Sequence, residues 1–336
     1  MLIRFLLGLV LIGGFGCCSN LLAAASQNPY LGAWALTIPG GHAGWLGVEE
    51  KNGMLSARLL WGWGSVEAVE SARLDGDRLV ITRKHNVEHK EGGRTIKTNL
   101  NEAITAVLQG DTIKLSSRKS RLDGNREDLA EFDGKRQPPM PPAPDLARVK
   151  FGSAVNLFNG ENLNGWKLTD SGAVNGWSVR DGLLVNEPVQ EDGKPHKNFG
   201  NLRTEQEFED FNLQLEFRLG ANGNSGVYLR GIYEVQVADS YGKPTSAHGL
   251  GGLYSRIRPA TNPAKPPGQW QKMDITLVDR HLTVAVNGQT VIDNQPVEGC
   301  TGGALWSDVS RPGPIYFQGD HTEVEYRNLL LRSVLK

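Results

Sequence analysis

The sequence predicts an all-β protein with two domains. Short runs of alternating apolar and polar residues recur along the chain and are separated by turn signals such as Asp75-Gly76 and Asn287-Gly288. This alternation is typical of strands that bury one face, and no stretch sustains the 3.6-residue period of an amphipathic helix. The 41 glycines among 336 residues suit the many tight turns of sandwiches and barrels.

A proline-rich segment separates two regions of different composition. Residues 137–144 contain five prolines in eight positions, and proline at that density favours the extended conformation of a semi-rigid spacer. We therefore predict a small β-rich N-terminal domain over residues 27–136, a linker over residues 137–150 and a second domain over residues 151–336.

The second region has the more regular strand pattern. From Phe211 to Leu219 every odd position is apolar and every even position is polar, so one face of this strand is predicted to be buried. Many short strands, frequent turn signals and no long helix together predict two packed antiparallel sheets.

The N-terminus has the features of an export signal. Arg4 precedes an apolar run over residues 5–15, which is shorter than the ~20 residues of a membrane-spanning helix. Ala23-Ala24-Ala25 offers a small-residue cleavage site. We therefore predict a signal peptide over residues 1–25, export to the periplasm or the extracellular space, and no membrane span in the mature chain. Lipid attachment at Cys17 and a retained anchor are the alternatives.

Charge and cysteine content narrow the classes of function. The net charge is −1, with 36 Lys+Arg against 37 Asp+Glu, so no basic surplus indicates a nucleic-acid partner. Cleavage after Ala25 leaves Cys300 alone, which rules out an internal disulfide. We expect Cys300 to be a small buried apolar residue rather than a nucleophile.

Four tryptophans fall within thirty residues of the N-terminal region: Trp34, Trp45, Trp61 and Trp63. They could line a platform for sugar rings, or they could fill the core of a small barrel. We favour the core.

The densest polar stretch covers residues 222–239. Within it Tyr228, Arg230, Glu234 and Gln236 alternate with apolar residues on two adjoining predicted strands. If the apolar set faces the core, these four side chains share the outer face, where a curved sandwich can form a groove for a hydroxyl-rich ligand. The alternative is that Arg230 and Glu234 form a solvated cross-strand ion pair.

Two further segments are candidates for the same groove. Residues 241–267 are rich in Gly and Pro, contain His248 and could overhang it, since long irregular segments are often binding loops. Residues 318–328 contain Gln318, Asp320 and His321, and a histidine can act as a base or metal ligand near neutral pH. The alternative for this second segment is an ordinary polar loop. The sequence contains no His-Glu-x-x-His, Gly-x-Ser-x-Gly or phosphate-loop motif.

Several motifs in the second region resemble the 3-keto-disaccharide hydrolase domain family. They are residues 157–166 (LFNGENLNGW), 177–184 (WSVRDGLL), 224–230 (NSGVYLR), 233–239 (YEVQVAD), 266–270 (PPGQW) and 313–318 (GPIYFQ), followed by Asp320-His321 and Arg327-Asn328. The resemblance covers nearly all of residues 151–336 in order and implies a concanavalin A-like jelly roll. The sequence departs from the family pattern at Gly319, which interrupts an expected Gln-Asp-His run, and at Thr322, where glycine is expected.

The resemblance implies cleavage of a glycoside whose sugar is already oxidised at C3. The ketone acidifies the C2 proton, a base removes it, the enolate expels the C1 substituent, and water adds back. On this basis Glu234 is our first candidate base and Arg230 the candidate that stabilises the enolate. Asp239 and His321 are alternative acid or base groups. The predicted sugar contacts are Asn224, Tyr228, Gln236, His248, Gln318 and Asp320.

Three questions stay open at this stage. A divalent metal held by Glu, Asp and His could replace the role of Arg230. A conventional jelly-roll endoglucanase would need a Glu-x-Asp-x-(x)-Glu pattern, whereas residues 234–239 read Glu-Val-Gln-Val-Ala-Asp, which disfavours it. The sandwich fold alone does not exclude a non-catalytic carbohydrate-binding protein, and the N-terminal domain could itself be the binding part.

Overall fold

A computed structural model describes residues 28–124 and 126–335. The predicted signal peptide and Cys17 therefore lie outside the described residues. Within these ranges all regular secondary structure is β, with 22 strands and no helix, which confirms the predicted all-β class. Among the described residues, no helix has the length and apolar character needed to cross a membrane.

The region before the proline-rich segment forms a strongly curved antiparallel sheet. Its nine strands are β1 (Gly32–Ile38), β2 (His42–Lys51), β3 (Met54–Leu60), β4 (Glu67–Ala68), β5 (Ser71–Asp75), β6 (Arg78–Glu91), β7 (Arg94–Gln109), β8 (Thr112–Ser120) and β9 (Glu127–Arg136). Their order in the sheet is β4-β3-β2-β1-β9-β8-β7-β6-β5.

The segment between β4 and β5 closes this sheet into a barrel. The Val69 amide donates to the Ala57 carbonyl of β3 (3.0 Å), and the Glu70 amide donates to the Thr82 carbonyl of β6 (2.9 Å). The two edges of the sheet are therefore joined at this point. Apolar side chains, including Trp34, fill the interior.

The second region contains thirteen strands in two sheets. They are β10 (Val155–Asn156), β11 (Trp166–Leu168), β12 (Trp177–Arg180), β13 (Leu183–Asn186), β14 (Leu202–Thr204), β15 (Phe211–Leu219), β16 (Asn224–Leu229), β17 (Tyr233–Ala238), β18 (Gln271–Val278), β19 (His281–Val286), β20 (Gln289–Pro296), β21 (Tyr316–Phe317) and β22 (Val324–Ser333).

The two sheets pack face to face as a jelly-roll sandwich. One sheet has the order β12-β13-β22-β15-β18-β19-β20, with β10 beside β22, and the other has the order β11-β14-β21-β16-β17. The odd positions of β15 are buried, as its alternation predicts. Apolar residues from both sheets form one core, and Cys300 is fully buried in it. Burial raises the pKa of the Cys300 thiol to about 11, which is unfavourable for a nucleophile.

The proline-rich segment is held against the sandwich. The Arg280 guanidinium donates to the carbonyl oxygens of Pro138 (3.0 Å) and Pro139 (3.3 Å), and the Asn294 amide donates to the Pro144 carbonyl (3.0 Å). A proline retains its carbonyl acceptor although it lacks an N–H, so the segment is docked through its carbonyls rather than acting as a free spacer.

The four N-terminal tryptophans have different environments. Trp34 and Trp45 are fully buried, as the core interpretation predicts. Trp61 is half-buried and packs edge-on against Phe132. Trp63, by contrast, is 66% exposed, so the core interpretation is wrong for this residue.

Candidate active site

The candidate site lies on the face of the five-stranded sheet that points away from the core. Across the β16–β17 hairpin, Tyr228 is paired with Glu234 and Gly226 with Gln236, and the apolar residues that alternate with them are buried in the sandwich. The period of two therefore places the polar side chains on the opposite face. There they line a cleft of about 660 Å³.

The structure brings most of the predicted site residues together in this cleft. Seven of them line it, namely Asn224, Tyr228, Glu234, Gln236, Gln318, Asp320 and His321.

Glu234 and Tyr228 form a buried hydrogen-bonded pair. The Tyr228 Oη lies 2.8 Å from the Glu234 Oε2 and 2.7 Å from the carbonyl oxygen of Gly302. A phenol has one proton and a carbonyl can only accept. Tyr228 can therefore donate to the Glu234 carboxylate or to the Gly302 carbonyl at any one time, and donation to Glu234 stabilises the ionised carboxylate.

Burial of the Glu234 carboxyl acts in the opposite direction to that hydrogen bond. It raises the pKa of Glu234 to about 8, and the hydrogen bond from Tyr228 offsets part of this rise. The pKa of Tyr228 and that of Tyr316 are raised well above the usual value, chiefly by burial, so both phenols keep their protons. Glu234 is the group in this cluster that titrates near neutral pH, which suits a general acid or base.

Small and flat neighbours make room for the Glu234 carboxyl. A Cβ added at Gly226 would overlap the Glu234 Oε1. Tyr316 stacks on Tyr228 with ring centroids 3.9 Å apart and donates its hydroxyl to the Gly303 carbonyl (2.7 Å). The two stacked rings wall one side of the carboxyl and hold it in a low-dielectric environment.

Amide groups supply further polar contacts in the cleft. The Gln236 side chain donates to the Asn224 Oδ1 (2.5 Å). The Oε1 atoms of Gln236 and Gln318 are buried and have no hydrogen-bond partner within the described chain. An unsatisfied buried acceptor costs about 1–3 kcal/mol, and hydrogen-bond donors of a bound ligand would satisfy both.

The loop after β21 closes the opposite wall of the cleft. The Asp320 carboxylate accepts from the Phe199 amide (2.9 Å) and lies 3.1 Å from the His196 Nε2. The His321 Nδ1 lies 2.8 Å from the Asp320 carbonyl oxygen. This loop therefore fixes the Asp320 carboxylate at the cleft and places the exposed His321 beside it.

The fold accommodates both departures from the family pattern in this loop. A Cβ at Gly319 would overlap the Gly200 carbonyl, so the position requires glycine. The Thr322 Oγ1 accepts from the backbone N–H of Asn224 (2.8 Å) and donates to the backbone carbonyl of the same residue (3.0 Å). Thr322 thus ties the loop to the first residue of β16.

Arg230 lies away from the cleft, contrary to the expectation that it faces Glu234. β16 ends at Leu229, and Arg230 occupies the following turn with a φ of 53°. Its guanidinium donates to the carbonyl oxygens of Val309 (2.8 Å) and Arg311 (2.6 Å). It therefore forms neither the expected enolate contact nor a solvated pair with Glu234.

Asp239 and His248 line a neighbouring cavity of about 450 Å³ rather than the cleft itself. The Asp239 carboxylate accepts from the backbone N–H of Asn222 (2.9 Å). The His248 Nε2 lies 2.9 Å from the Ser65 Oγ. Asp239 follows the end of β17 at Ala238, so the alternation of that strand does not extend to it. A glucanase mechanism would need Glu234 and Asp239 as a carboxyl pair in one cleft. The structure places them in two different cavities.

Several lining residues were not predicted as site residues, among them Tyr316, Tyr254, Asp170 and Trp63. Tyr316 belongs to the two-residue strand β21, where it alternates with the buried Phe317, and that alternation was the available signal. Trp63 reaches the cleft from the N-terminal domain, so its position fits the platform alternative for the tryptophan cluster rather than the core that we favoured. Among residues 28–124 and 126–335, no three His, Cys, Asp or Glu side chains are grouped closely enough to hold a metal ion.

Comparison with known proteins agrees with the predicted resemblance. A 3-keto-disaccharide hydrolase of Bacteroides thetaiotaomicron is 24% identical over 166 residues, which cover 41% of this chain and 57% of that protein. The match thus spans little more than half the length of this relative.

Solved structures of similar proteins include two candidate glycosyl hydrolases of Parabacteroides distasonis. One is 28% identical and covers 59% of this chain and 94% of its own, with a TM-score of 0.44. The other is 23% identical and covers 55% and 95%, with a TM-score of 0.45.

The model of one family matches residues 153–332, a range that contains both sheets of the sandwich and the cleft residues of β16, β17 and the loop after β21. This chain belongs to the family of the 3-keto-α-glucoside-1,2-lyase-like domain.

Proposed function

We propose that this protein cleaves glycosides in which the sugar ring has been oxidised to a ketone at C3. The observation that carries the proposal is the buried Glu234 carboxyl, whose pKa is about 8, in a cleft that also offers unpaired amide acceptors. Membership of the family supplies the class of substrate.

The proposed reaction is an elimination followed by hydration. The base removes the C2 proton, the C2–H electrons form the enolate with the C3 carbonyl, and the C1–O bond breaks as the leaving oxygen takes up a proton. Water then adds to C1 of the resulting enone while a proton returns to C2. The sum is a hydrolysis, with no net oxidation or reduction.

Glu234 is the proposed base in its ionised form. A pKa of about 8 leaves about a tenth of the groups ionised at pH 7, but the same shift makes each ionised carboxylate a stronger base. The proton that Glu234 gains at C2 is then available for return to the ring.

The oxygen of the enolate needs a partner other than Arg230. Among the described residues that line the cleft, only His321 can carry a positive charge. We assign to His321 the stabilisation of the enolate or the protonation of the leaving oxygen, and to Gln236 and Gln318 the binding of sugar hydroxyls. Preorganised donors and acceptors of this kind supply much of the rate enhancement of enzymes.

The first experiment compares a 3-keto-glucoside with its unoxidised parent. The wild type is expected to cleave only the oxidised compound, and Glu234→Gln is expected to lower kcat by about 10²- to 10⁴-fold. In deuterium oxide the wild type should also exchange the C2 proton of the oxidised sugar, and the variant should not.

Glu161→Gln is the matched control, because Glu161 is exposed on a loop and does not line the cleft. Cleavage of the unoxidised parent would contradict the elimination route. Sugar binding without turnover of either compound would leave a carbohydrate-binding protein in place of an enzyme.

A further inference from the structure

We infer that the N-terminal domain supplies a second part of the binding site, in which Trp63 and an adjoining polar cavity hold the chain attached to the oxidised sugar. The inference rests on the proposed function and extends it, because it makes the substrate an oligosaccharide longer than two sugar units. Three features of the structure support it.

The first feature is the exposed tryptophan at the cleft. Trp63 lines the cleft that contains Glu234, although 66% of its surface is exposed. One side of its ring faces His42, with centroids 5.8 Å apart. A large exposed aromatic group beside a polar cleft indicates a ligand contact, since the negative face of the ring attracts the C–H groups of a sugar.

The second feature is the way in which the loop that carries Trp63 is held. The Gly303 amide donates to the Gly62 carbonyl (3.0 Å), and the Ser65 Oγ lies 2.9 Å from the His248 Nε2. A Cβ at Gly302 would overlap the backbone of Gly64. The loop is therefore fixed against the sandwich by close backbone contact, so Trp63 is preorganised rather than freely mobile.

The third feature is a second cavity on the other side of this loop. Trp63 and Gly64 line both the cleft and a neighbouring cavity of about 420 Å³ within the N-terminal domain. The volume of each lies within the range of ordinary ligand pockets. Because the two cavities share Trp63, a chain that leaves the cleft across this ring enters the second cavity.

The lining of the second cavity suits hydroxyl groups better than a single charged ligand. It combines cationic and anionic side chains around Glu102, whose buried carboxylate accepts from Arg83 (3.1 Å) and Ser117 (2.5 Å) and lies 2.7 Å from the His85 Nε2. This network fixes the floor, and Lys119 forms part of the wall. Donors and acceptors alternate over a short distance, as the hydroxyls of a sugar require.

The position of the cavity also indicates which part of the substrate enters it. When the oxidised ring is the non-reducing end, the rest of the chain is attached at C1 and is the leaving group. With C2 at Glu234, we place that chain along the cleft toward Trp63, which lines both the cleft and the second cavity. We therefore assign the second cavity to the leaving oligosaccharide.

The test compares three oxidised substrates: a methyl 3-keto-glucoside, a C3-oxidised disaccharide and a C3-oxidised trisaccharide. For Trp63→Ala we expect the ratio of kcat/KM for the trisaccharide to that for the methyl glycoside to fall about fivefold, mainly through KM. Trp63→Phe should restore most of the ratio. Lys119→Ala should lower the ratio of trisaccharide to disaccharide. Met54→Ala is the control, because Met54 is an exposed residue of the same domain that lines neither cavity.

An unchanged ratio in Trp63→Ala would overturn the inference even if the enzyme is active. If the wild type cleaves none of the three substrates, the proposed function fails, and calorimetric binding of the unoxidised trisaccharide and monosaccharide decides the inference separately. The second cavity is supported if the wild type binds the trisaccharide more tightly than the monosaccharide and Trp63→Ala loses this difference in affinity. Equal binding of the two sugars, or binding that does not change in the variant, contradicts it.

Discussion

Burial and a hydrogen bond act in opposite directions on the protonation of the Glu234 carboxyl. Burial raises the pKa of Glu234 to about 8, and the hydrogen bond that Tyr228 donates to the carboxylate offsets part of this rise. Because Tyr228 has one proton, its donation to the ionised carboxylate takes that proton away from the Gly302 carbonyl. A single proton links the state of the base to the wall of the cleft.

The dependence of activity on pH follows from this arrangement. We expect kcat/KM for a 3-keto-glycoside to rise with pH through a limb near 8, because ionised Glu234 is the base. Tyr228→Phe removes the hydrogen bond that lowers the pKa of Glu234, so the limb should move to higher pH. The measurement is a pH–rate profile of both proteins, and a limb that moves down or stays in place would contradict the assignment.

The stability of the fold should also depend on the ionisation of Glu234, but it should fall as pH rises, whereas activity should increase. The folded-state pKa of Glu234 is about 8 and its ordinary value is 4.5, so between these values the folded protein holds a proton that the unfolded chain has lost. The free energy of unfolding therefore falls as pH rises from about 4.5 to about 8, on the order of a few kcal/mol from this group.

Glu234→Gln isolates that contribution. Gln cannot titrate, so the variant should gain stability relative to the wild type as pH increases across this window, as measured by denaturant unfolding at pH 5 and pH 8.5. Glu161→Gln, on an exposed loop, should follow the wild type. If the free energies of unfolding of Glu234→Gln and wild type differ by the same amount at both pH values, the raised pKa of Glu234 is refuted.

Among the elements, the β16–β17 hairpin shows where strand alternation predicts the face on which a side chain lies and where it does not. Within the strands, alternation assigned Tyr228, Glu234 and Gln236 to one face, and the structure has them there. It failed for Arg230, which lies one residue beyond the end of β16. Asp239, which the family resemblance rather than alternation had suggested, likewise lies one residue beyond the end of β17. The period of two holds only while the ladder continues, and tertiary contacts decide where it stops.

The same hairpin contains a glycine whose role can be tested directly. In Gly226→Ala the new Cβ would overlap the Glu234 Oε1, and displacement of a catalytic group by about 1 Å can cost about a hundredfold in rate. We therefore expect kcat/KM to fall by about that factor while the sandwich still folds. Gly220→Ala is the matched control, because a Cβ there has no neighbour within 4 Å. Equal activity in the two variants would show that the space at Gly226 is not needed.

At the scale of the whole molecule, the two domains share packing that composition cannot reveal. Trp45 belongs to β2 of the N-terminal barrel, yet it is part of the core cluster of the sandwich, with the Arg256 guanidinium 4.4 Å from the centre of its ring. Trp63 lies at the cleft for the same reason, since the loop that carries it docks on the sandwich. Neither contact has a local sequence signal, because each depends on how two separate folds meet.

This shared core predicts that the two domains unfold together. We expect one calorimetric transition for the wild type, since loss of either domain exposes Trp45. Trp45→Ala should cost about 3–5 kcal/mol and separate the trace into two transitions. Trp34→Ala removes a tryptophan that is buried within the barrel alone, so it should lower Tm and retain a single transition. Two separate transitions in the wild type, or identical traces for the two variants, would mean that the interface does not couple the domains, and Trp63 would then lack the fixed support that a preorganised second cavity requires.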